Sequence, residues 1–148
     1  FKQVVGLTEV SVEYSRPGVK GRLIFGAESD DALVPYGKVW RTGANAATKV
    51  SFDKDVKIGG QELSAGEYAL FTKPGAEEWE VMLFEHTTSS AGGYGDAKPA
   101  AMFKVPVQKM PENMNVERFT IVVMGMTDTS ADILLMWDDV MVALPLEV

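Results

Sequence analysis

The 148-residue sequence contains no cysteine, a single histidine and no long apolar run. Without cysteine the chain can form no disulfide and offers no thiol nucleophile. No apolar stretch reaches the roughly 18 residues that suggest a membrane-spanning helix, so we expect no integral membrane segment. Zinc bound by imidazole needs more than one histidine, or a histidine with well-spaced carboxylates. We therefore expect neither a metal site nor a cofactor.

Positive charge is also scarce, because 14 Lys and Arg residues stand against 21 Asp and Glu residues and give a net charge of −7. Nucleic-acid binding normally needs a basic surface that displaces counterions from phosphates, so we expect no nucleic-acid partner. The same imbalance disfavours an anionic membrane surface. A chain of this length fits one domain, residues 1–148, with a core of sufficient size. The sequence leaves the oligomeric state open.

No segment shows a convincing helical period, whereas apolar and polar residues alternate almost throughout the chain. Val10, Val12 and Tyr14, for example, alternate with polar residues, as in a half-buried antiparallel strand. Gly59 and Gly60, between two such segments, predict a tight hairpin. The predicted strands, about nine or ten in number, lie within residues 7–15, 21–26, 49–53, 55–63, 66–75, 78–86, 101–110, 117–128 and 131–148.

Turn signals recur every ~8–12 residues, which is the spacing expected of a sandwich or a barrel. The sequence therefore predicts an all-β, mostly antiparallel β-sandwich that is jelly-roll-like or partly closed into a barrel. The helical content that we expect is at most a short turn near residues 28–34, capped by Ser29 or Asp30 and ended by Pro35. Two long irregular loops, 27–47 and 87–100, interrupt the strands, and loops of such length are often functional.

His86 is a candidate catalytic base because it follows a predicted strand and precedes Thr87, Thr88, Ser89 and Ser90. A histidine beside a hydroxyl can activate that hydroxyl as a nucleophile. The four hydroxyls are equally typical of a turn, so a strand-end histidine without catalytic function is the favoured interpretation.

Methionines and paired carboxylates also allow two interpretations. The eight methionines could bind Cu(I) through their thioethers, but filling of gaps in the core is the favoured interpretation. Adjacent residues of a strand point to opposite faces, so the Asp pairs at 30–31 and 138–139 are not expected to form facing catalytic pairs. The residues predicted to pack in the core are Met82, Met124, Met126, Met136, Trp79 and Trp137.

A basic and aromatic concentration is the strongest candidate for a binding site. Five of the fourteen Lys and Arg residues lie between residues 16 and 41. Guanidinium groups bind carboxylates and phosphates bidentately and stack on aromatic rings, so this region could hold a small anion or a sugar. The competing interpretation is that Arg16 and Arg41 pair with the protein's own carboxylates or loop carbonyls. The predicted ligand contacts are Arg16, Lys20, Arg22, Lys38, Trp40, Arg41 and Asn45, with Tyr14 and Tyr94 at the rim.

Four segments resemble a known bacterial family, the one catalogued as domain of unknown function 2911. They read YSRPGVKGRLIFG, LVPYGKVWRTGANAATKVSF, IGGQELSAGEYALFTKPG followed by EWEVMLF, and LLMWDDVMVALPLEV. Together they extend the resemblance from Leu7 to the C-terminus. The resemblance implies a small β-rich domain that follows a signal peptide or a lipoprotein signal, and therefore a periplasmic or extracellular location. A chain that begins at Phe1 without Met agrees with this expectation.

The resemblance implies no activity and brings no catalytic residues to this chain. Members of the family often carry Trp and Tyr around a WG element in the second long loop. Here that loop reads TTSSAGGYGDAKPA and retains Tyr94 alone. If the loop lines a pocket, we expect the ligand of this chain to differ from those of its relatives.

These observations support three hypotheses about function. The leading one is an exported, non-enzymatic β-sandwich that binds a small polar or anionic ligand, such as a carbohydrate, through the basic and aromatic residues. The second is a hydrolase that uses His86 with a loop hydroxyl or with Glu85, which requires His86 to face a cleft within hydrogen-bond reach of such a partner. The third is a structural or protein-interaction module without a small-molecule site.

Overall fold

Two antiparallel sheets pack face to face in the computed structural model, which describes residues 1–111 and 113–148. The predicted all-β sandwich is therefore confirmed. We number the strands in chain order. The first sheet contains β1 (Lys2–Val5), β2 (Thr8–Glu13), β5 (Thr48–Phe52), β8 (Gly66–Lys73), β9 (Glu78–Glu85) and β10 (Ala101–Pro106), hydrogen-bonded in that order.

The second sheet has five strands that are hydrogen-bonded side by side, and a short sixth strand that pairs with one of them. The order is β12 (Val116–Met124), β13 (Ser130–Asp138), β14 (Val140–Glu147), β6 (Val56–Ile58) and β7 (Gln61–Leu63), and β11 (Gln108–Lys109) pairs with β14. A separate ribbon joins β3 (Phe25–Gly26) and β4 (Val34–Pro35), and this pair is parallel. Gly59 and Gly60 both have positive φ, at 57° and 79°, and form the predicted tight turn between β6 and β7.

The structure differs from the predicted elements at a few short segments. Strand β1 was not predicted, because Val5 alone among its four residues is buried and the segment has no alternating pattern. A 3₁₀ helix at Glu28–Asp30 confirms the helical turn, but Ala27 occupies the N-cap position without a side-chain hydrogen bond, so the predicted capping by Ser29 or Asp30 is wrong. A second 3₁₀ helix, Ala91–Tyr94, lies in a glycine-rich loop that carried no helical signal.

Aromatic side chains fill the space between the sheets. All three tryptophans of the chain lie in one cluster, where the rings of Trp40 and Trp137 stack with centroids 5.8 Å apart, and Trp79 contacts Trp40 edge to face. Phe25 and Phe119 pack against the same rings. Burial of Trp79 and Trp137 agrees with the prediction that both belong to the core.

The predicted core methionines divide into two groups. Met82 is buried, in a small cluster on the outer face of the first sheet. Met136 is half-buried and points outwards between the buried Leu135 and Trp137, so the prediction that it packs in the core is wrong. Met124 and Met126 are about half exposed, at 54% and 48%, so the prediction that they fill core gaps is wrong. Met124 is the exposed last residue of the edge strand β12, and Met126 lies beyond the end of that strand. Neither residue therefore packs between the two sheets. Among the described residues, no helix is long and apolar enough to cross a membrane.

Candidate functional site

The predicted basic and aromatic residues do not gather in one pocket. Trp40 lies in the core, where its indole Nε1 donates to the carbonyl of Gly43 at 3.1 Å, so it is not a ligand contact as predicted. Burial of its large apolar ring between the two sheets stabilises the fold more than the same ring would at the surface. Lys38 is exposed and pairs with Glu28 at 3.5 Å, and Arg22 donates to the carbonyls of Gly18 and Val19 at 2.6 and 3.0 Å.

The competing interpretation of the arginines holds for part of the cluster. Arg16 donates through Nε to the carbonyl of Phe119 at 3.1 Å and through Nη2 to the Thr120 hydroxyl at 3.0 Å, so it joins the chain after β2 to the second sheet. Arg41 is exposed and forms neither an ion pair nor a side-chain hydrogen bond with any residue that the structure describes. Lys20 and Asn45 are also exposed, and both have positive φ, at 51° and 62°.

Three buried threonine hydroxyls hold the segment that carries Arg41 and Asn45. The Thr42 hydroxyl contacts that of Thr72 at 3.1 Å and donates to the carbonyl of Trp40 at 3.2 Å. Thr48 donates to the carbonyl of Thr42 at 2.5 Å. Since all three side chains are fully buried, these bonds satisfy groups that water cannot reach. The conspicuous composition of this segment therefore reflects, in part, how the loop is attached to β8.

A row of polar side chains crosses the outer face of the first sheet. Val10, Val12, Val50 and Phe52 are buried between the sheets, so their neighbours along β2 and β5 point outwards. Register pairs align the outward residues directly across the strands, and the amide of His86 donates to the carbonyl of Glu67 at 2.9 Å, which adds a fifth position. The row consists of Lys2, Ser11, Ser51, Glu67 and His86.

Lys49 connects this row, through Glu67, to the neighbouring outward pair that it forms with Glu13. It lies directly opposite Glu13 in the ladder between β2 and β5, and its ammonium is 3.2 Å from the carboxylate of Glu13 and 3.6 Å from that of Glu67. The hydrogen bond to Glu13 raises the pKa of Lys49 above its ordinary value of 10.5, although desolvation acts in the opposite direction. The ammonium thus stays charged at neutral pH between two carboxylates.

Two adjoining clefts lie over these residues, with volumes of about 590 and 380 Å³. Glu13 and Lys49 line both of them, so the two clefts adjoin, and together we call them the sheet groove. The larger cleft is lined by Phe1, Lys2, Ser11, Val12, Glu13, Lys49, Ser51 and Glu67. The smaller one is lined by Glu13, Tyr14, Ser15, Ala46, Ala47, Lys49, His86 and Ser89.

Both long irregular loops border the sheet groove at one end. The first contributes Ala46 and Ala47, the second contributes Ser89, and the amide of Ala47 donates to the carbonyl of Ser89 at 3.2 Å. Asn45 precedes the lining residue Ala46, so this predicted contact neighbours the groove in the sequence. Arg16 follows the lining residue Ser15, but its guanidinium is bonded to Phe119 and Thr120 of the second sheet. A cleft of about 610 Å³ near the β6–β7 hairpin touches neither of these loops.

The second loop covers the apolar part of the same sheet face. Phe71, Met82 and Phe84 point outwards from β8 and β9 and are buried by Tyr94. The Tyr94 hydroxyl accepts from the amides of Thr87 and Thr88 at 3.1 Å and donates to the carbonyl of Thr88 at 2.5 Å. Tyr94 is therefore an anchor of the loop rather than the predicted rim of a site. The outer face is left open where its residues are polar.

The geometry that a hydrolase needs at His86 is not formed. His86 lines the sheet groove beside Ser89, but its ring makes no hydrogen bond with Ser89, Ser90 or a carboxylate among the described residues. The amide of Ser90 is bonded instead to the Thr88 hydroxyl at 3.1 Å. Within the described ranges, no three His, Asp or Glu side chains are placed to hold a metal ion.

Tyr14 and His86 line the groove and were singled out in the sequence, but the charged and serine residues on the strands were missed because they form the polar phase of ordinary strands. Glu13, Lys49, Ser51 and Glu67 alternate with buried residues, which predicts that they face outwards. Which part of that outward face stays uncovered depends on where the loops fold.

Comparison with known proteins gives one result. No curated protein and no solved structure matches this chain. The family model described as protein of unknown function (DUF2911) matches residues 1–146. Since this match covers nearly all of the 148 residues, the chain belongs to the DUF2911 family.

Proposed function

We propose that the chain is a non-catalytic module that binds a small polyhydroxylated ligand, of the carbohydrate class, in the sheet groove. The observation that carries this proposal is the polar row from Lys2 to His86, which lies in a concave and uncovered part of the sheet. Carboxylates and serine hydroxyls accept hydrogen bonds from sugar hydroxyls, and ammonium groups donate to them. A binding site of this kind needs several convergent polar groups on a rigid scaffold.

The proposed site is centred on different residues from the site that the sequence predicted. Asn45, which neighbours the lining residue Ala46, remains a candidate contact. The centre becomes Glu13, Lys49 and Glu67, whose side chains meet in ion pairs on neighbouring strands. Strands hold a constellation of side chains more rigidly than loops do, which favours these three as the main contacts.

Binding without catalysis is favoured because no nucleophile and base are paired in the groove. A hydroxyl nucleophile needs a base within hydrogen-bond reach, and the ring of His86 has no such partner in the part of the chain that the structure describes. The family resemblance adds the proposal that the module acts outside the cytoplasm. Fractionation of cells that produce the natural full-length protein tests this location, and recovery in the cytoplasm alone would contradict it.

The binding proposal is tested with a variant that fills the groove. Ser51→Trp places an indole in the middle of the polar row without altering the core, because Ser51 faces outwards. Ala143→Trp is the matched control, since Ala143 faces outwards from β14 in the second sheet, between the buried Val142 and Leu144. Wild type and both variants are screened by thermal shift against neutral sugars, sugar acids and sugar phosphates.

We expect at least one sugar to raise the melting temperature of the wild type and of Ala143→Trp but not of Ser51→Trp. Stabilisation follows from mass action when a ligand binds only the native state. The proposal is wrong if no compound stabilises the wild type, or if Ser51→Trp responds as strongly as the control does.

A further inference from the structure

The sheet groove is long, and its length bears on the size of its ligand. The polar row occupies five neighbouring positions, from Lys2 on β1 to His86 just after β9. Strands lie about 4.8 Å apart, so four steps between strands span roughly 19 Å. A single sugar ring would contact one or two of these positions and leave the others in water.

The two clefts of the groove differ in what they present. The larger one presents charged and hydroxyl groups on Lys2, Ser11, Ser51 and Glu67. Phe1 also lines it, but Phe1 lies opposite the buried Val12 and its ring packs edge to face on Tyr14. The smaller one ends at His86 and Ser89, where the loop wall stands. Because polar groups line both clefts, the groove can contact successive units of a chain through hydrogen bonds.

The charged side chains of the groove indicate which charge the ligand can carry. Lys2 and Lys49 balance Glu13 and Glu67, so these four side chains carry no net charge. Lys49 is already engaged by both carboxylates, at 3.2 and 3.6 Å, and its ammonium is not free to neutralise an anion. The carboxylates each keep acceptor capacity for further donors. An acidic chain would bring negative charge against them, whereas hydroxyl or amino groups would supply donors.

From these observations we infer that the ligand is an oligosaccharide chain, neutral or amino-bearing rather than acidic, that lies across the strands along the polar row. This inference rests on the proposed function and adds the length and the charge class of the ligand. The inference uses no residue of the basic segment between residues 16 and 41, whose Arg16 is bonded to the second sheet.

The experiment measures affinity as a function of chain length by isothermal titration calorimetry. The probes are cello-, chito- and glucosamine oligosaccharides of one, two, four and six units, together with oligogalacturonates of the same lengths. For at least one neutral or amino series we expect affinity to rise by about tenfold or more from one to four units, equivalent to about 1.4 kcal/mol. The affinity should then change little from four to six units, because the row is filled.

Variants separate the inference from the proposed function. Ser51→Trp should abolish the gain with chain length, because it interrupts the row, and Ala143→Trp should preserve it. If the single sugar binds as tightly as its chains, or if oligogalacturonate binds more tightly than every neutral and amino chain, the inference is overturned while a sugar-binding groove remains. If none of the oligosaccharide probes binds, the inference is overturned, and if the broader screen of sugars, acids and phosphates also fails, the proposed function falls as well.

Discussion

Replacement of Tyr14 by phenylalanine tests how the two sheets are joined beside the groove. The Tyr14 hydroxyl accepts from the amide of Ile121 at 3.1 Å and donates to the carbonyl of the same residue at 3.4 Å. It thereby takes the place of a neighbouring strand at the edge of β12. Ile121 is buried, so water would not readily replace the hydroxyl after Tyr14→Phe.

The expected loss of stability arises because Tyr14→Phe leaves the backbone amide of Ile121 without a hydrogen-bond acceptor. Phe keeps the edge-to-face contact with Phe119, whose ring centroid lies 5.8 Å away, so packing should change little. A buried donor without an acceptor costs about 1–3 kcal/mol, and the second bond, at 3.4 Å, is long and adds little. For a domain near 150 residues, about 2 kcal/mol corresponds to a melting temperature lower by about 4–8 °C.

The assay is urea denaturation followed by tryptophan fluorescence. All three tryptophans lie in the core between the sheets, so their emission reports loss of the packed sandwich. The control is Tyr36→Phe, because Tyr36 is exposed and substitution there should change stability by no more than about 0.5 kcal/mol. A Tyr14→Phe protein as stable as the Tyr36→Phe control would refute the role given to the Tyr14 hydroxyl.

Two further substitutions test local features. Burial, and then the charges of Asp139 and Glu117, raise the pKa of Asp138 above its ordinary value of 3.8, so its ionised form destabilises the native state. Asp138→Asn should therefore be more stable than wild type at pH 7, with the difference disappearing as the pH falls below 3.8; an equal gain at pH 3 in urea denaturation would contradict this. Tyr94→Phe removes the hydroxyl that orders Thr87 and Thr88, so amide exchange across residues 87–97 should accelerate several-fold while exchange in β8 and β9 is unchanged. Unchanged exchange in the loop would show that the hydroxyl does not anchor it.

The fold could be predicted from the sequence because its local signals agree with its global packing. Alternation around Val10 and Val12 assigns one face of β2 to the core, and the Gly59–Gly60 pair fixes a hairpin. Strand β1 and the pairing of β3 with β4 were not predictable, although β3 lies within the strand predicted at residues 21–26. Their pairing depends on neighbours distant in the sequence, since Phe25 lies opposite Val34 and Lys2 lies opposite Ser11.

The candidate site was harder to locate because composition does not distinguish a loop anchor from a ligand contact. Trp40 has the chemistry of a stacking platform, yet the structure places it against Trp137 in the core. Lys49 and Ser51 look like ordinary outward residues of a strand. Their importance follows from the register that aligns them with Glu13 and Glu67, and from loops that leave this part of the sheet open.

The most direct test of the central claim is an amide chemical-shift titration of the ¹⁵N-labelled protein with the sugar that gives the largest thermal shift. If the sheet groove is the binding site, the largest changes will fall on Ser11, Lys49, Ser51, Glu67 and His86, and the amides of β13 and β14 will hardly move. Changes concentrated around Lys20, Arg22 and Lys38, or on the outer face of the second sheet, would contradict a binding site in the groove.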